Sequence, residues 1–111
     1  MTIYITRGNY SDHAFQNILK QPEDRHEAVE KLIKAAGGKM LAMYATLGEY
    51  DFITISEFDK TVDMVSVLMA AAGTGGVRNL NTTTAMATAD IKKAEEKARK
   101  IAGGFKPAGG K

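Results

Sequence analysis

The spacing of apolar residues in this chain switches between a period of two and a period near 3.6, and the order of those switches restricts the fold more than any other feature. Residues 2–7 alternate Ile3 and Ile5 with Tyr4 and Thr6, the pattern of a strand. Ser11 then offers an N-cap with Asp12 in the first turn. The apolar set Phe15, Ile18, Leu19, Val29, Leu32, Ile33 and Ala36 keeps a helical period through Pro22. This predicts one long helix, or two stacked helices bent at Pro22, closed by a left-handed glycine at Gly37-Gly38. Residues 39–47 and 52–58 are strand candidates on either side of Gly48-Glu49-Tyr50, which reads as a hairpin turn. Asp59 is placed to cap a helix over 60–72, in which Val62, Val65, Leu68, Met69 and Ala72 form a stripe widened by Met64, Val67 and Ala71. Gly73-Thr74-Gly75-Gly76 ends that helix, the Thr-rich segment 77–86 is a fourth strand, and 90–102 is a last helix with Ile91, Ala94, Ala98 and Ile101 on one side.

The order βαββαβ is the split arrangement of ferredoxin-like folds, an α+β class with helices on one face of a four-stranded antiparallel sheet. The 111 residues suit one core, and 44% hydrophobic against 25% charged residues is a globular rather than a disordered composition. The expected division is a ferredoxin-like domain over 1–89 and an extra C-terminal helix with a Gly/Lys-rich tail over 90–111. Charge divides at the same point. Residues 1–89 hold eight Lys and Arg against ten Asp and Glu, and residues 90–111 hold seven against three. With no cysteine, disulfides, thiolate metal sites and a Cys nucleophile are excluded. There is no N-terminal signal pattern and no apolar run of roughly 20 residues, so a cytoplasmic location without a membrane partner is expected.

Helices on one face leave the other face of the sheet to be covered. If Ile3, Ile5, Leu41, Met43, Ile53 and Ile55 face the helices, then Tyr4, Met40, Ala42, Tyr44, Phe52 and Phe58 point away, a large apolar area to expose. A second copy related by a two-fold axis covers it most simply, so the first expected partner is the chain itself, as a homodimer or higher oligomer. The six methionines suit adaptable packing and subunit interfaces.

The most distinctive local motif is Gly48-x-Tyr50-Asp51 at the hairpin, preceded by Gly37-Gly38-Lys39 and Tyr44 and followed by Val77-Arg78. Over roughly residues 1–90 this pattern resembles the GYD domain family. The resemblance implies a dimeric α/β barrel, in which two ferredoxin-like sheets face each other. That wider superfamily holds cofactor-free monooxygenases, haem enzymes and plain ligand-binding or sensing domains, so the resemblance implies no particular reaction. Gly48 has a structural explanation in a turn that needs φ > 0. Tyr50 and Asp51 divide between a structural reading, packing and turn hydrogen bonds, and a functional one. In the functional reading Tyr44, Tyr50 and Asp51 converge at a barrel mouth as a ligand-binding group, joined by His26, whose helical phase with Val29 and Ile33 places it partly buried beside the sheet.

His13, in a first helical turn, is expected to be exposed, and neither histidine sits in a metal-ligand spacing, so neither metal nor cofactor is expected. Arg7 and Arg78 at strand ends are candidate anion contacts. Gly73-Thr74-Gly75-Gly76 follows a helix and precedes a strand, the reverse of a phosphate cradle. The basic end is interleaved with Glu95 and Glu96, which reads as a solvated face rather than a nucleic-acid contact. Three functions follow. The first is a homo-oligomeric small-molecule binding or sensing domain that takes a small apolar ligand. The others are a cofactor-free enzyme acting on an apolar or aromatic substrate, and a structural self-assembly protein.

Overall fold

The computed structural model describes residues 1–110, and Lys111, the end of the tail read from the sequence, lies outside the described residues. Its elements are β1 (Thr2–Tyr10), α1 (Asp12–Lys20), α2 (His26–Ala35), β2 (Lys39–Ala45), β3 (Phe52–Phe58), α3 (Thr61–Gly73), β4 (Val77–Ala85) and α4 (Thr88–Ala102). The four strands form one antiparallel sheet in the order β2-β3-β1-β4, the ferredoxin-like arrangement. No helix among the described residues is long and apolar enough to cross a membrane.

Local chemistry sets most of the boundaries. The Ser11 side chain accepts a hydrogen bond from the Ala14 N–H at 3.1 Å and caps α1. The helical period breaks at Pro22, giving two helices rather than one: α1 closes at Gln21, and α2 starts after Asp24 accepts the His26 N–H at 2.9 Å. Gly37 has φ +91° just past α2, the left-handed closure that the Gly-Gly pair predicts. Gly48 has φ +103° at the β2–β3 turn. The N-cap of α3 falls on Lys60, whose backbone is extended (φ −125°), so Asp59 lies one residue too early to cap it.

The sheet faces are assigned differently from the sequence expectation. Tyr4, Met40, Phe52 and Phe58, expected to point away from the helices, are buried beneath them, together with Thr6, Thr54 and Ser56. Ile3, Ile5, Ile53 and Ile55 take the opposite face. A one-residue change of phase transfers every side chain in a strand to the other side, and both phases here are apolar enough to be buried. Ala42 and Tyr44 do point away as expected, and Met43 packs against the core. A bulge in β2 reconciles the two results. The register against β3 shifts between Met40 and Ala42, so Leu41 is the extra residue and Met40 and Ala42 fall on opposite faces.

The core lies toward one end of the helix-covered face. Tyr4, Ile33, Met40, Phe58, Met64 and Val67 form it, with Tyr4 and Phe58 in an edge-on pair at 6.1 Å. Phe58 is fully buried, and its ring lies against Gly38, where any Cβ would collide with it. The bare face carries the isoleucines in cross-strand register, with Ile5 opposite Ile55 and Thr83, Ile55 opposite Ala42, and Ile53 opposite Tyr44.

Gly48→Val is expected to destabilise the domain by about 1–3 kcal/mol, because a β-branched residue is strained at positive φ and nothing nearby compensates. Urea unfolding of the two proteins measures it, and an unchanged midpoint contradicts the turn geometry.

Candidate functional site

The half of the helix-covered face that the core leaves unfilled holds a cavity of about 640 Å³. Thr6, Thr54 and Ser56 form its floor, α2 contributes Val29, Leu32 and Ile33, and α3 contributes Met64, Val67, Leu68 and Ala71. Ala14 and Ile18 of α1 form the roof. That helix buries none of its residues, so it spans the space without filling it. The floor is made of small hydroxyl side chains whose bonding is largely internal. Thr6 and Thr82 share a hydroxyl hydrogen bond of 2.9 Å, and the Ser56 hydroxyl reaches the Met64 sulfur at 3.8 Å. The result is apolar walls over a floor with few free polar atoms, the composition of a small-molecule pocket.

Larger polar groups also line the cavity. Tyr10 lies between Phe15 and Phe52, with ring centroids at 5.6 and 5.2 Å, and His13, Asn17, Gln21, Glu23 and Arg25 line the same cavity. Arg25 Nη1 pairs with Glu23 Oε1 at 2.8 Å, and His13 Nε2 is 3.3 Å from the Asn17 amide. Burial pushes the Tyr10 phenol above its ordinary pKa of 10.0; the Arg25 charge opposes the rise, and the Asp51 and Glu23 carboxylates reinforce it. At neutral pH this phenol is therefore a neutral hydrogen-bond donor and acceptor, not a base.

The residues named from the sequence as a ligand-binding group lie away from this cavity. None of Tyr44, Tyr50, Asp51 and His26 lines the cavity. Tyr44 is 62% exposed on the bare face of the sheet, across from Ile53. His26 is exposed rather than partly buried, because it occupies the first turn of α2, where the chain has only just rejoined the helix. Asp51 works within the fold. Its Oδ2 accepts the Tyr10 N–H at 3.0 Å and the Asn9 side-chain amide at 3.2 Å, and its own N–H donates to Gly8 O at 2.8 Å. Asn9 also donates to Glu49 O and accepts from Asn79, whose φ of +57° turns β4 toward it. The Thr46 hydroxyl donates to Tyr50 O at 2.7 Å and closes the loop from the other side. The Gly-x-Tyr-Asp hairpin is thus fastened to the end of β1 next to Tyr10. Of the motif residues it is Asp51 that bears on the cavity, indirectly, by holding the backbone of Tyr10.

Sequence reasoning missed Tyr10, Thr6, Thr54 and Ser56. A signal was present: Thr6, Thr54 and Ser56 are small and polar, and they share a phase with the bulky Tyr4, Phe52 and Phe58. Small side chains set between large ones on an inward face mark unfilled space.

The GYD domain profile matches residues 4–94. The chain is 28% identical over 91 residues to a Thermus thermophilus protein named glutamine synthetase and cystathionine beta-lyase binding protein, a match spanning 82% of this chain and 95% of that one. Its fold is similar to the crystal structure of TTHA0845 from Thermus thermophilus, with a TM-score of 0.51 at 15% identity over 78% of this chain and 95% of the other.

The raised Tyr10 pKa has a consequence for stability. The unfolded chain releases the phenol proton first, so the stability linked to Tyr10 is complete below pH 10.0 and is lost as pH rises through the folded value. Tyr10→Phe is expected to remove this share of the alkaline fall, which the pH dependence of the urea midpoint in the two proteins will measure.

Proposed function

Because the chain belongs to the GYD domain family, which matches most of its length, we propose that it is a homo-oligomeric binding protein that holds a small, largely apolar ligand in the cavity beneath α1. The observation that carries this reading is the cavity itself, a largely apolar space of about 640 Å³ with Tyr10 among the polar groups of its lining. Such a space orients a ligand with its apolar body inward and a hydrogen-bonding group at the phenol. Binding fits better than turnover. The titratable side chains along the cavity are a neutral phenol, the ion-paired Arg25 and Glu23, and His13 within reach of the Asn17 amide, so the carboxylate and the imidazole already have partners in the protein. The relative named for binding two enzymes supports the same class of function, a protein whose work is to bind.

Self-association rests on the bare face of the sheet. Ile3, Ile5, Ile53 and Ile55 there are joined by Ala42, Ala85 and Tyr44, an apolar area that a second sheet covers through a two-fold axis. This keeps the expected sheet-to-sheet dimer but moves the ligand. The pocket lies within each subunit, on the helix side, and not between the two sheets.

The ligand reading predicts that protein purified under native conditions retains a small molecule in native mass spectrometry, or binds an environment-sensitive apolar probe such as 1-anilinonaphthalene-8-sulfonate. Ala14→Phe, which fills the cavity from its roof, should weaken binding by about tenfold or more, and Tyr10→Phe should weaken it about fivefold by removing one hydrogen bond. Equal probe binding by wild type and Ala14→Phe sinks the proposal.

The dimer is tested apart from the ligand. Ala42→Lys puts a lone charge into the sheet-to-sheet contact and should shift the mass in light scattering toward the 12.0 kDa monomer. A wild-type protein already monomeric at micromolar concentration rules the dimer out.

A further inference from the structure

α4 projects from the body. Every residue in it is exposed, and the molecule measures 63 Å along its longest axis against 31 and 22 Å across. A helix of 15 residues without tertiary contacts is marginal in water, and this one has no side-chain hydrogen bond at its N-cap. It needs a surface to pack on.

Its two sides differ. Ile91, Ala94, Ala98 and Ile101, spaced three and four apart, form an apolar seam that Phe105 continues four residues further on, 75% exposed. Around it stand Lys92, Lys93, Lys97, Arg99 and Lys100. Among the described residues only Lys93 of these has an ion-pair partner, Asp90 at 3.7 Å. The body has the opposite balance, with ten acidic residues against eight basic ones. Its Glu30, Glu49 and Asp59 are exposed and form no ion pair among the described residues.

We propose that α4 and the following residues 103–106 form an arm that docks on the acidic body of a second copy of this chain, with the seam against its surface and the lysines toward its carboxylates. The charge division makes the chain complementary to itself. A two-fold axis lets each copy give and receive one arm, so a single contact is formed twice. The seam suits a protein surface better than a lipid one. Ala94 and Ala98 at its centre permit close approach, whereas interfacial membrane helices bury bulky aromatic and aliphatic residues. Nucleic acid fits less well, because Asp90, Glu95 and Glu96 lie among the lysines. Pairing arm with arm is also disfavoured. With the seam as the core of a two-helix coil, the antiparallel arrangement sets Glu95 against Glu95 and Lys97 against Lys97, and the parallel one sets Asp90 against Glu95. The body is the remaining complement.

The test uses the full chain. Hydrogen exchange over 91–101 should show at least about tenfold protection at high protein concentration. That protection should fall on dilution, at raised salt, and in the double variant Ile91→Glu, Ile101→Glu. Both isoleucines are exposed in the single chain and lie outside the body, so the variant should keep the hydrogen-exchange protection of β1 and β3 and the apolar-probe binding of wild type. A benzophenone side chain in place of Ala98 should cross-link two copies, at residues within 1–89. Unprotected α4 amides in concentrated wild type, protection that the double variant retains, or cross-links confined to one chain overturn the proposal. Co-sedimentation with anionic vesicles or retention on duplex DNA, without cross-links between copies, overturns it in favour of those partners.

Discussion

The contact between Phe52 and Gly8 fixes how the two central strands sit on one another. The two residues are opposite each other in the β1–β3 register, and a Cβ built on Gly8 would come within 2.7 Å of both the Phe52 ring and the Leu80 side chain. The ring therefore lies over a position that carries no side chain. The β1–β4 register shifts at the same place, between Arg7 and Asn9, and Gly8 O accepts the Asp51 N–H. Once Phe52 is seated there, period-two alternation along β3 carries Thr54, Ser56 and Phe58 to the helix side and Ile53 and Ile55 to the bare side. The floor of the cavity, the wall of the core and the apolar outer face all follow from that one phase.

The consequence is a helix-covered face that is part core and part cavity. Among the described residues, the buried hydrophobic side chains are Tyr4, Ile33, Met40, Phe52, Phe58, Met64 and Val67. At about 1.5–3 kcal/mol for each large side chain removed from water, so small a set must offset the ordering of the whole sheet and its helices. Anything that binds only the folded state adds to it by mass action, whether a molecule in the cavity or a second copy on the isoleucine face. An unfilled pocket and an uncovered sheet are costs to the isolated chain, and both are reduced by binding.

The parts of this architecture that could be read from sequence are those set by local chemistry. Ser11 caps α1, Gly37 and Gly48 take positive φ, and Pro22 divides the helical region, each through its own backbone and nearest neighbours. The orientation of the strands could not be read in the same way. In β1, Ile3 and Ile5 compete with Tyr4, and in β3, Ile53 and Ile55 compete with Phe52 and Phe58, so alternation alone leaves two solutions of similar hydrophobicity. Ring size decides between them, since the aromatic side chains reach the helices and the shorter isoleucines leave a flatter surface. The bulge at Leu41 adds a second ambiguity, because it lets Met40 and Ala42, two residues apart, face opposite ways.

The same distinction explains why the family motif does not mark the cavity. Gly48 supplies a turn conformation, Tyr50 gives its carbonyl to Thr46, and Asp51 ties β1 to the hairpin through the Tyr10 N–H and Asn9. These are the tasks of a clamp, and a clamp is compatible with many pockets. Tyr10, Thr54, Ala14 and the Arg25–Glu23 pair, which line the cavity, are scattered over β1, β3, α1 and the α1–α2 junction with no common spacing. Only the fold brings them together. Asp51 links the two sets, since the carboxylate that fastens the hairpin also holds the backbone of Tyr10, which lines the cavity.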